Sequence, residues 1–168
     1  DGIAVDIGTT TIAMELIKLS DGSRASVYKT INSQTATGAD VVSRINLAAE
    51  ASGLELLHNM VAEDILKGVD ELIKKTGISD TEISRICFSG NTAMTYILVG
   101  TGTECLASYP FKTKKIMYHG EDVSDILGHS RTGGVSLSGI PYYIAPEISA
   151  FVGGDISSGA ATLGLYDS

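Results

Sequence analysis

The sequence predicts an α/β domain: a mixed five-stranded sheet, three antiparallel strands followed by βαβ units, with helices on both faces. Three observations carry this. Three short apolar runs, separated by Gly8 to Thr10 and by Asp21-Gly22, follow one another at the start of the chain. Leu57, Val61, Ile65, Val69 and Leu72 then recur at three- or four-residue spacing and trace one face of a long helix. From there to the end, short apolar runs alternate with segments of helical pattern.

Ile3 to Ile7 is almost wholly apolar and reads as a strand buried on both faces, ending at Gly8. Thr11 to Leu19 is rich in β-branched and apolar residues and forms the second strand. Asp21-Gly22 supplies the positive φ angles of a hairpin turn, and Ser26 to Ile31 returns as the third. Thr37 is positioned to cap a helix over Gly38 to Glu50. Ser52 with Glu55 has the spacing of a capping box and opens the long helix, whose end carries Lys74, Lys75 and then Gly77 for a left-handed cap. Ile83 to Ser89 is the fourth strand, followed by Gly90-Asn91-Thr92 and a helix to about Val99. Gly, Thr and Ser are frequent between residues 100 and 139, which reads as an irregular insertion containing a strand over Lys112 to Tyr118 and a short helix over Asp122 to Leu127. Pro141 to Ala145 is the fifth strand. Glu147 to Leu163 is a helix rich in small residues, which lets another backbone approach closely at the expense of helix propensity. This order describes a ribonuclease-H-like half-domain.

Composition narrows the function classes. With 43% hydrophobic and 19% charged residues in 168, the chain is a packed globule rather than a disordered one. A net charge of −8 argues against nucleic acid or an anionic membrane as partner, since both attract a positive patch. The basic cluster of Lys112, Lys114 and Lys115 reads as a solvated strand face. No apolar run is long enough to cross a bilayer, and no basic region at the start suggests a signal peptide. Cys87 and Cys105 are distant in sequence, and Cys87, in an apolar run, reads as a small core residue; nothing suggests a disulfide framework, which points to a reducing cytoplasm.

The sharpest chemical signal is Asp6-Ile7-Gly8-Thr9-Thr10-Thr11. A carboxylate near the end of a buried strand, a glycine turn and three hydroxyls can meet a phosphate with backbone N–H and threonine O–H groups. Asp6 would repel that phosphate alone, but fits beside Mg2+ or its bound waters. An ordinary hairpin is the simpler alternative. Asn91 opens a helix after a strand, where it either caps the helix or lies near the nucleotide. Asp40 and Arg44, one helical turn apart, read as a surface ion pair. His58, His119 and His129 share no metal-ligand spacing.

Residues Ile3 to Thr11 resemble the phosphate-1 motif of the acetate-kinase, sugar-kinase, Hsp70 and actin superfamily. Asn32, Gln34 and Gly38-Ala39-Asp40-Val41-Val42-Ser43-Arg44-Ile45 are similar to a segment of the reductive activators of corrinoid iron–sulfur proteins. Gly90 to Thr95, Tyr109-Pro110-Phe111 and Phe151-Val152-Gly153-Gly154-Asp155 resemble further segments in the same order, and together they cover most of the chain. The resemblance implies an actin-like ATPase that binds ATP and Mg2+ between two lobes. It implies that Asp6, Gly8, Thr9, Thr10, Thr11 and Asn91 face the nucleotide, with Asp6 on the metal side. An iron–sulfur domain carrying a [2Fe–2S] cluster supplies the electron that takes a Co(II) corrinoid protein to Co(I). The expected partner is a corrinoid iron–sulfur protein or corrinoid methyltransferase component.

The superfamily also places a catalytic residue near Glu147, and Asp155 would follow two turns down the same helix face. One of the two is expected to face the γ-phosphate. The alternatives are a dipole-complementing Glu147 and a junction contact for Asp155. No cysteine-rich ferredoxin-like region and no second Asp-x-Gly loop occur in this sequence. The expectation is therefore the first lobe alone, inactive by itself, with a homodimer through its last helix left open. Two other functions share the same phosphate loop: a small-molecule kinase, and an actin-like scaffold that assembles with nucleotide.

Overall fold

In the computed structural model, residues 1–114, 117–128 and 135–164 are described. Strands β1 (Gly2–Ile7), β2 (Thr11–Ile17) and β3 (Arg24–Ile31) form an antiparallel meander. Their alternation is strict where it matters. Ile3, Val5 and Ile7 of β1, and Ile12, Met14 and Leu16 of β2, are all at most 2% exposed and share one face. Ala4, Asp6, Ala13 and Glu15 take the other, more open face.

Helix α1 (Val41–Ala48) and helix α2 (Ala51–Thr76) follow. The stripe read from the sequence is the core face of α2: Leu57, Val61, Ile65, Val69 and Leu72 are fully buried. Gly68 lets α2 lie directly on the sheet, because a Cβ there would stand 2.2 Å from the Met14 sulfur. Lys74 and Lys75 occupy the last turn, and Gly77 caps it at φ 71°, as the sequence predicts. Strand β4 (Arg85–Gly90) then runs parallel to β1, and α3 (Thr92–Leu98) is buried along its whole length.

Beyond α3 come α4 (Glu104–Ala107), β5 (Tyr118–Gly120), α5 (Ser124–Leu127), β6 (Tyr142–Ile144) and α6 (Gly154–Thr162). The sheet order is β3-β2-β1-β4-β6-β5, with β1, β4 and β6 parallel and β5 antiparallel on the edge. Most helices cover one face, while α6 reaches β4 on the other: the Ser158 hydroxyl lies 3.1 Å from that of Ser89. This is the mixed α/β, ribonuclease-H-like fold expected.

The structure corrects the sequence reading at several elements. The sheet has six strands, not five, because the region from 100 to 139 contributes β5. The strand expected over Lys112 to Tyr118 is instead Tyr118–Gly120, paired with β6; Lys115 lies outside the described residues. The hairpin is wider than expected: only Gly22 takes a positive φ, and Asp21 accepts the Ser23 amide instead. A 3-10 turn over Ser33–Ala36 precedes α1, whose cap is Asp40 rather than Thr37. The Asp40 carboxylate accepts from the Ser43 amide at 2.8 Å, and Ser43 answers through its hydroxyl. Helix α2 starts at Ala51 without the Ser52–Glu55 capping box, since Gly53 packs so tightly on Leu47 that the helix is set by tertiary contact. The last helix begins at Gly154, seven residues later than expected. Glu147 to Val152 is an irregular segment closed by a Ser149–Val152 bridge.

Candidate functional site

The three parallel strands deliver their following loops to one end of the sheet, where open α/β sheets bind ligands. The loop after β1 is the tightest. The Gly8 amide donates to Thr11 O at 3.0 Å, and a Cβ on Gly8 would lie 2.6 Å from that same oxygen. Only glycine closes this turn.

Each successive carbonyl of the loop is tied back to the body of the domain. Asn32 Nδ2 donates to Gly8 O at 2.9 Å, Arg44 Nη2 to Thr9 O at 2.6 Å, and the Asn32 amide to Thr10 O at 2.9 Å. Among the described residues, the Thr9 and Thr10 amides donate to no protein acceptor. The loop therefore spends its acceptors inward and keeps donors free, an arrangement suited to an anion. Thr10 and Thr11 are exposed and Thr9 is half-buried. Asn91 caps its helix, as one of the two readings had it, and also touches the loop. Its Oδ1 caps α3 through the Met94 amide at 3.1 Å, and its Nδ2 reaches Thr9 Oγ1 at 3.3 Å.

Asp6 is exposed on the open face of the sheet, paired across from Ser89. Partial desolvation, and secondly the negative charge of Asp155, push its carboxyl above the ordinary value. Asp155 is brought there by Gly153 and Gly154. A Cβ on Gly153 would stand 2.5 Å from Asn91 Cα, and one on Gly154 would stand 2.6 Å from Ala145 O. Gly153 docks the start of α6 against the β4–α3 junction, and Gly154 docks it against the residue that follows β6. Asp155 sits in the first turn of that helix, a position its dipole favours for a carboxylate.

Glu147 goes elsewhere. It is 2% exposed and neither carboxylate oxygen has a hydrogen-bond partner. Its neighbours are Thr95 of α3 and Tyr118 of β5, and the carboxylate whose charge reaches Asp6 is Asp155. Burial pushes its carboxyl up to about 8. Glu147 and Asp155 share no helix face, because α6 starts only at Gly154. The structure thus gathers Asp6, Gly8, Thr9, Thr10, Thr11, Asn91 and Asp155 and leaves Glu147 apart, buried against α3.

The residues beneath the loop are the ones sequence reasoning gave no role. Asn32, Gln34 and Arg44 are all fully buried. Arg44 makes no surface pair with Asp40. Its Nε donates to Gly38 O at 2.9 Å, Nη1 to Gln34 Oε1 at 3.1 Å and Nη2 to Thr9 O. Gln34 Nε2 in turn donates to Leu57 O at 2.8 Å. Their signal in the sequence was polarity in a segment between a strand and a helix, which by itself reads as a loop. Among the described residues, no cluster of three or more His, Cys, Asp or Glu side chains is placed to hold a metal ion. His129 lies outside the described residues. No helix among them is long and apolar enough to cross a membrane.

Residues 1–168, the whole chain, match the family model described as the RACo middle region. The chain belongs to this family. It is 27% identical over 165 residues to the corrinoid activation enzyme RamQ of Eubacterium limosum, covering 98% of this chain and 26% of that protein. A solved reductive activator for corrinoid, iron-sulfur protein superposes with a TM-score of 0.86 at 29% identity, covering 99% of this chain and 26% of that one. The chain thus spans about a quarter of the length of the relatives it matches. Its kinship is with reductive activators of corrinoid proteins, and its fold is of the actin-like ATPase type.

Proposed function

We propose that this family member is the first nucleotide-binding lobe of an ATP-dependent reductive activator. In this reading its phosphate loop contributes to a machine that lets an iron–sulfur domain reduce a Co(II) corrinoid protein to Co(I). The observation that carries it is the Gly8–Thr11 loop, with its carbonyls tied inward, its Thr9 and Thr10 amides unspent and two carboxylates alongside. Free amides suit a phosphate, and Asp6 with Asp155 suits the water shell of a divalent cation bound to that phosphate. ATP and Mg2+ fit these residues. When bound, the metal would neutralise charge on the phosphates. Asp6 and Asp155 would orient its waters, and Thr9, Thr10 and Asn91 would fix the phosphate chain.

Asp155, rather than Glu147, is the better candidate for the side chain facing the terminal phosphate, because it shares the open face with Asp6. The second lobe, the [2Fe–2S] domain and the second Asp-x-Gly loop belong, in this reading, to the rest of a longer cytoplasmic protein. Nucleotide drives electron transfer only through a difference in its affinity for two states of the clamp. The corrinoid partner is a corrinoid iron–sulfur protein or a methyltransferase component. The test is reduction of the Co(II) partner by the full-length protein with an electron donor, followed by the corrinoid's visible spectrum. Accumulation of Co(I) that requires both ATP and Mg2+ supports the proposal; reduction at the same rate without nucleotide refutes it.

A further inference from the structure

Among the described residues, the buried Arg44 guanidinium has no buried counter-ion. Its hydrogen-bond partners are two backbone carbonyls, the Gln34 amide oxygen and the Met94 sulfur at 3.3 Å. The acidic group whose charge it feels is Asp40, which is exposed and engaged in capping α1. Burying a charge without a paired carboxylate is costly, so the hydrogen bonds that satisfy this guanidinium matter all the more.

What lies against Arg44 is the phosphate loop. Its Nη2 bond to Thr9 O is the shortest of its contacts, at 2.6 Å. The space is built for it, since a Cβ on Gly38 would stand 2.8 Å from Arg44 Cγ. The planar fork matches three acceptors in fixed directions: the loop, the Gly38 turn and, through Gln34, the carbonyl of Leu57 in α2. One side chain thereby couples the phosphate loop to the long helix and to the start of α1. It also sets a positive charge behind a loop whose open side carries Asp6 and Asp155.

We propose that Arg44 is a positioning residue of the nucleotide site, holding the Thr9 carbonyl inward so that the loop's amides face the phosphates, and offsetting the site's acidic charge from behind. The proposal rests on the nucleotide reading above. It assigns Arg44 no contact with the nucleotide; Arg44 acts through the backbone of Thr9.

The test uses the full-length protein with Arg44→Lys, which keeps the charge but cannot span three acceptors, and Arg44→Met, which removes the charge. The Gly8 and Asn32 amides close the loop onto Thr11 O and Thr10 O, so their hydrogen exchange reports its geometry. Loss of one charge-assisted bond predicts exchange faster by about tenfold or more at these two amides in both variants. Val5 and Met14, paired within the core strands, keep their wild-type exchange. The Kd for Mg–ATP rises by about tenfold in Arg44→Lys and further in Arg44→Met. Unchanged exchange in both variants overturns the proposal whatever happens to nucleotide affinity. Faster exchange with an unchanged Kd overturns the link between the loop and the nucleotide. If the wild type itself fails to bind Mg–ATP, the nucleotide reading falls, and exchange alone decides whether Arg44 holds the loop. A measurement without any variant stands beside these. The Arg44 guanidinium resonances of the wild type shift on adding Mg–ATP, and resonances that stay in place count against the proposal.

Discussion

Glu147 offers a prediction that can be worked from burial alone. Its carboxyl is 2% exposed, neither oxygen is hydrogen-bonded, and burial pushes it up to about 8 from 4.5. The Thr95 side chain, close by without a well-formed hydrogen bond, pulls weakly the other way. The sign follows from proton counting. Below pH 4.5 the group is protonated both folded and unfolded and costs nothing. Between 4.5 and about 8 the unfolded chain releases the proton while the folded one keeps it. Stability is therefore lost as pH rises through this window, by about 1.4 kcal/mol per unit at most. Above it the loss levels off on the order of 5 kcal/mol. Glu147→Gln keeps the shape and removes the titration. Urea denaturation of wild type and variant at pH 5, 6.5 and 8 isolates this group, because other ionisable residues cancel in the difference. The variant should gain on wild type by roughly 2–4 kcal/mol between the lowest and highest pH. A difference that stays flat across the three pH values, or a variant that loses ground at pH 8, refutes the reasoning.

Two further predictions come from close packing and from charge. Gly53→Ala should destabilise the domain by about 1–3 kcal/mol despite the better helix propensity of alanine, because the new methyl would stand 2.1 Å from the Leu47 carbonyl oxygen; thermal or urea unfolding measures it, and a stabilised variant would contradict the contact. Desolvation first, and the Asp155 charge second, raise the Asp6 carboxyl, so binding of Mg–ATP that needs ionised Asp6 should weaken as pH falls, and Asp155→Asn should move that weakening to lower pH. Calorimetric titrations of the full-length protein from pH 5 to 7.5 check this, and superimposable pH profiles would contradict it.

Much of the fold was legible because its elements announce themselves through period and punctuation. The α2 stripe needed only helical spacing, and Gly77 only the left-handed cap. What escaped the sequence was decided by contacts between distant residues. Ser52 and Glu55 form a locally plausible cap, yet α2 starts two residues earlier, at Ala51, with Gly53 seated tightly on Leu47. Strand β5 has three residues and exists because β6 offers it an edge, which no local pattern encodes. Glu147 to Val152 has helical composition, but the close seats of Gly153 and Gly154 fix where the chain can turn into helix, so Gly153 is the cap and the helix begins at Gly154.

The site divides in the same way. That Asp6, Gly8 and the threonines meet at one turn was legible because they are contiguous in the sequence. Arg44 was misread as a surface ion pair since its partners, Thr9 and Gln34, lie 35 and 10 residues away. Asp155 reached the site through α6 docking, and Glu147 left it because its segment turns toward α3 instead of continuing as helix.

Mg–ATP turnover by the full-length protein, wild type against Asp6→Asn, tests the central claim most directly. Asp6 is exposed, so the substitution leaves the core intact, and removing one charged ligand to the metal's waters should lower turnover by about tenfold to a hundredfold. Turnover equal to wild type in the Asp6→Asn protein would mean that nucleotide chemistry does not take place at this loop.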